Sequence, residues 1–81
     1  MYRPFKRIRL RMCEMDLNQK ETARLSGVPE GTITNRMRGI YPWHADEIAA
    51  VAKVLNIPTA EIGAFFFEDA PREYKKYKKG A

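Results

Sequence analysis

Residues 18 to 39, NQKETARLSGVPEGTITNRMRG, constrain this chain more than any other stretch, because they spell two short helices and the turn between them. Asn18 followed three residues later by Glu21 has the capping-box form. In that box the Asn side chain accepts from an orphan amide and the Glu reaches back to the Asn N–H. A helix is therefore expected to begin at Gln19. Ala23 offers a small side chain where another helix can cross closely. Ser26 and Gly27 should end this first helix, since glycine takes the left-handed backbone that a sharp reversal needs. Val28 anchors the turn, and Pro29 fixes φ ahead of a second helix, GTITNRMRG, that runs to Gly39. Arg36 and Arg38 fall in its last turn, where cations suit the helix dipole.

The charge balance narrows the partner once it is divided along the chain. The net charge is +5, yet residues 1–41 hold nine Lys or Arg against four acids, residues 42–69 one against five, and residues 70–81 five against one. A basic face beside an acidic one suits a chain that meets phosphates on one side and solvent or a second subunit on the other. A merely solvated surface would give the same count. With 44% apolar and 31% charged residues the sequence is of the globular kind, expected to form one small domain over residues 1–69. No apolar run approaches the length of a membrane span, and the basic start lacks the apolar stretch of a signal peptide, so a cytoplasmic location is expected. Cys13 stands alone, which excludes an intrachain disulfide, and with only His44 beside it neither a metal nor a cofactor is expected.

Around the central pair of helices the spacing of apolar residues predicts three more. Over residues 4–15, Pro4 is a favourable first helical residue, and Phe5, Ile8, Met12 and Met15 share one face. Arg3, Lys6, Arg7, Arg9 and Arg11 fill most of the rest, while Leu10 points away from the stripe. Over 44–55, Ala45, Ile48, Ala49, Val51, Ala52 and Leu55 form a packing face, with Asp46 and Glu47 at the positive end of the dipole and His44 as a neutral cap or surface residue. Asn56 suits the left-handed position that ends this helix. Pro58 then opens a last helix over 59–67. Its run Phe65-Phe66-Phe67 covers about 200° of a helix circumference, so at least one ring should be exposed or paired with another chain. In the loop between, Trp43 is expected to pack on the core, while Tyr41 either packs or donates to a phosphate. Residues 70–81 change composition abruptly. They read as a flexible Tyr/Lys tail or as a non-specific phosphate-contacting arm.

Leu17-Asn18-Gln19, Ala23, Gly27-Val28, Thr32-Ile33, Gly39 and the downstream LNIPTAEI together resemble the helix-turn-helix of the phage repressor and Cro type, also called the xenobiotic-response-element family. The resemblance covers roughly residues 5 to 66. It implies an all-α, compact five-helix bundle that binds double-stranded DNA. It also implies that Gln19 and Arg38 stand at positions that grip phosphates. Two departures accompany it. By alignment, the Arg of the first helix and the Glu of the recognition helix that pair in many relatives are Met12 and Met37 here, expected to touch in the core. Thr22 stands where relatives keep a core Leu.

An α-helix fits the major groove, where side chains near its N-terminus reach base edges. With Ile33 and Met37 inward, the outer side of the second motif helix holds Glu30, Gly31, Thr34, Asn35 and Arg38. Asn35 is the sharpest base reader, because its amide donates and accepts at once, as the adenine edge requires. Thr34 offers a methyl or a hydroxyl, and Glu30 either accepts from cytosine or only satisfies the helix dipole. Asn18 and Gln19 at a helix N-terminus, with Arg9, Arg36, Arg38 and Tyr41, are the phosphate candidates; for Arg9 and Arg36 a solvated surface position serves equally well. Phe65, Phe66 and Phe67 are the candidate contact of a homodimer. The expected function is that of a small repressor-like transcriptional regulator of phage, prophage or mobile-element origin. The rival is a protein-interaction module, such as an antitoxin or a regulator-binding adaptor. An enzyme is not expected, since no nucleophile, base and orienting group come together.

Overall fold

The computed structural model describes residues 4–72 and Tyr74. Among these the chain is all helical, with α1 (Lys6–Glu14), α2 (Gln19–Ser26), α3 (Glu30–Met37) and α4 (Ala45–Val54). A fifth helical segment follows, opening as a 3-10 turn (Thr59–Glu61) and closing as a π-turn (Ala64–Glu68). The five elements form the expected bundle, in which α2 packs against both α3 and α4, and α1 packs against the fifth segment. No single helix among the described residues is long and apolar enough to cross a membrane.

Each of the two motif helices starts and stops for a local reason. Asn18 Oδ1 accepts from the Glu21 N–H at 2.7 Å, and the Glu21 carboxylate accepts from the Asn18 N–H at 3.3 Å, completing the capping box. Gly27 closes α2 at φ +80°, and Gly39 follows α3 at φ +73°. Asn56 ends α4 in the same left-handed region, at φ +53°. Thr22, the polar residue in the core position, is fully buried with its hydroxyl donating to the Asn18 carbonyl at 2.9 Å, so no polar group is stranded.

The start of α1 differs from the expectation. Pro4 is not its first residue; Phe5 sits at φ +60° ahead of a helix that begins at Lys6. The sequence lacks a local cap there, and Asp69 supplies one from the far end of the domain. Its carboxylate accepts from the Arg7 N–H at 3.0 Å and its carbonyl accepts from the Phe5 N–H at 3.0 Å. The left-handed turn drives the Phe5 ring fully into the core, edge-on to Trp43 with centroids 6.1 Å apart.

Met12 and Met37 are both buried in that one core, as the apolar exchange of the pair requires. On α4 the buried stripe is Ile48, Val51, Ala52 and the adjoining Leu55, while Ala45 and Ala49 are exposed. The Phe run divides three ways: Phe66 is buried edge-on against Trp43 at 5.2 Å, Phe65 is half-buried, and Phe67 is 63% exposed. Ala70 and Tyr74 also pack against the core, so the folded body extends into the segment read as a tail; the lysine-rich part of that segment lies outside the described residues.

Candidate nucleic-acid interface

The capping box fixes where α2 begins, the Gly27 turn reverses the chain, and Pro29 starts α3 across the end of α2. One side-chain bond joins the two helices on their outer side. The Thr34 hydroxyl donates to Gln19 Oε1 at 3.1 Å, which leaves the Gln19 NH2 as a donor at the free N-terminus of α2. Asn18 Oδ1 is held by the cap, and its NH2 is the side-chain group that can donate to a phosphate.

The positions assigned to the outer side of α3 by elimination fall there. Glu30, Gly31 and Arg38 are exposed, and Thr34 and Asn35 are half-exposed. The Asn35 carbonyl accepts from the Ile40 N–H at 3.1 Å and so fixes the loop that follows. Its side-chain amide has no hydrogen-bond partner among the described residues, so both its donor and its acceptor are open to a ligand. Lys20, exposed in the first turn of α2 next to Gln19, adds a cation that is not among the phosphate candidates read from the sequence. Its place at a helix N-terminus was the signal available.

Two cations selected for phosphates are placed elsewhere. Arg36 is buried at 9% exposure, with Nε 2.7 Å and a terminal nitrogen 3.0 Å from the two carboxylate oxygens of Glu47. Ile33, Arg36 and Met37 share the inward face at helical spacing, so the guanidinium enters the domain and is paired there. The Tyr41 ring lies over it, 5.8 Å from its carbon to the ring centroid, and the residue is 42% exposed. Arg9 is half-buried and donates to the carbonyls of Pro4 at 3.2 Å and Met37 at 2.9 Å, tying α1 to the end of α3. Arg11 closes α4 in the same manner, through the carbonyls of Leu55 and Asn56 at 2.8 and 2.9 Å.

Glu47 is the residue that sequence reasoning assigned only to a dipole. Burial pushes its carboxyl up, but the Arg36 hydrogen bonds, the His44 N–H at 3.0 Å and the two neighbouring positive charges outweigh it and hold the group below the usual carboxylate range. The domain thus carries a largely buried ion pair between α3 and α4. Of the proposed dimer residues, Phe66 is at 1% exposure and belongs to the core, which leaves Phe67, and in part Phe65, to meet another surface.

A family model described as Helix-turn-helix matches residues 7–62, well over half of the chain. Neither the curated proteins nor the solved structures searched gave a match.

Proposed function

We propose, from the premise that the chain belongs to the phage repressor and Cro-type helix-turn-helix family of DNA-binding domains, that α3 lies in the major groove and reads bases with Asn35. That family is one of DNA-binding regulators and not of enzymes. Thr34 and Glu30 flank Asn35 on the outer face, while Gln19, the α2 N-terminus and Arg38 hold phosphates on either side. The observation that carries this reading is the open Asn35 amide on an exposed helix face, beside a Gln19 whose donor is directed by Thr34.

One short helix covers only a few base pairs, so useful affinity calls for two copies on half-sites about 34 Å apart, with Phe67 as the contact between them. The chain then acts as a small repressor-like regulator of the phage, prophage or mobile-element kind.

Selection from a random duplex library at near-physiological salt, run on the wild type and on Asn35→Ala, tests the reading. The wild type should enrich a short two-fold-related motif, and the variant should lose about 1–3 kcal/mol of discrimination at one position per half-site. Motifs of equal sharpness would remove Asn35 from the bases. Enrichment of no motif, with binding that only fades as salt rises, would reduce the contacts to phosphate.

A further inference from the structure

After proline, glycine is the least favourable residue for a helix, and α3 carries one in its first turn. Gly27 and Gly39 are accounted for by their left-handed backbone, and Gly39 also by Pro71, whose Cγ would lie 2.9 Å from a Cβ there. Gly31 has neither reason. It lies inside α3 without a positive φ, is exposed, and a Cβ built on it would meet nothing within 4 Å. Gly63 is equally open, but it stands at the junction of the 3-10 turn and the π-turn, where the helical pitch changes. At position 31 alanine would fit and would favour the helix, so the described residues give no cause for leaving the side chain out.

Its neighbours on the helix supply one. Gly31, Thr34, Asn35 and Arg38 follow one another at steps of three, one and three, which at about 3.6 residues per turn makes one stripe along the outer side of α3. Gly31 precedes Asn35 by one turn, about 6 Å along the axis. A missing side chain in such a stripe lets the helix backbone come close to whatever the stripe faces. The Asn35 amide depends on that closeness, because a hydrogen bond of about 2.9 Å is lost when its ends draw apart by about 1 Å. A methyl group one turn away is large enough to hold the helix out by that much.

We infer that Gly31 sets the depth of α3 in the major groove: its bare backbone rests against a base edge, and the approach so gained brings the Asn35 amide within reach of its base. This rests on the DNA-binding reading above. It adds a positioning residue that governs specificity through Asn35 and has no side chain of its own.

The test uses the full chain with Gly31→Ala and Gly31→Leu, titrated against the selected duplex and against one that lacks the motif. Gly31→Ala should raise the thermal midpoint by about 4 °C and yet bind the selected duplex about tenfold more weakly. Gly31→Leu should lose about a hundredfold, and in both variants the motif should blur at the position that Asn35→Ala blurs. Binding to the duplex without the motif, and the slope of log K against log salt, should stay those of the wild type. Gly63→Ala should leave the Asn35 position as sharp as in the wild type; blurring there would trace the effect to helix propensity and overturn the inference. Gly31→Ala with unchanged affinity and motif would overturn it and leave base reading by Asn35 intact. An equal loss on both duplexes with a shallower slope would move Gly31 to a phosphate and overturn its place at a base edge. A wild type that enriches no motif would overturn this inference together with the reading beneath it.

Discussion

Glu47→Ala should lower the thermal midpoint by about 15 °C, the consequence of losing about 3 kcal/mol when one member of a buried ion pair is removed and the other remains. The Arg36 side chain is 11% exposed and that of Glu47 12%, so the guanidinium left behind cannot be rehydrated without moving α3 away from α4. The His44 N–H loses its acceptor in the same step. Glu47→Gln keeps an oxygen for one of these donors and should cost less. Replacing both members, Arg36→Met with Glu47→Leu, should return close to wild type, because the desolvation cost disappears with the charges. Calorimetry on the three variants decides the matter, and a single alanine variant within a degree or two of wild type would show that the pair behaves as a surface contact.

The same pair sets an acid limb. Glu47 has its folded value below the ordinary 4.5, so its contribution is fully present above pH 4.5 and is lost as pH falls through the lowered value. The unfolding free energy of the wild type should therefore drop below that pH more steeply than that of the Met/Leu pair, in which this carboxyl is absent.

What could be read in the sequence was what is local. The capping box, the left-handed positions at Gly27 and Asn56, and the four residues of the α4 stripe that are buried, Ile48, Val51, Ala52 and Leu55, each depend on residues within a turn or two of one another. The spacing rules apply there directly. Arg36 was half legible: its place three residues after Ile33 and one before Met37 put it on the inward face, but its charge argued for solvent. Its acid partner lies 11 residues on and on another helix. Asp69 was not legible at all as the cap of α1, since 62 residues separate it from the Arg7 amide. On the interface, elimination placed the outer face of α3 well, because it needed only the helical period. It could not foresee the Thr34–Gln19 bond, which joins side chains from two helices.

Phe66→Ala should cost about 4 kcal/mol, a large part of what so small a domain has to lose. The ring is at 1% exposure and meets Trp43 edge-on, while Trp43 meets Phe5 in the same way, so one aromatic chain joins the fifth segment, the loop after α3 and the start of α1. Removing its end leaves a cavity against the indole and loosens the segment that carries Asp69. The cap on α1 then weakens with it. One effect works in the opposite direction: Trp43 Nε1 is buried with no partner among the described residues, and a water admitted to the cavity would hydrate it. Phe67→Ala, one residue on and 63% exposed, should change the midpoint little. On the proposed reading its effect should appear instead in self-association on the duplex. Denaturant unfolding of the two variants separates the roles: a Phe66→Ala loss under 1 kcal/mol would mean that the π-turn holds without its ring, and a large loss for Phe67→Ala would place that residue in the core.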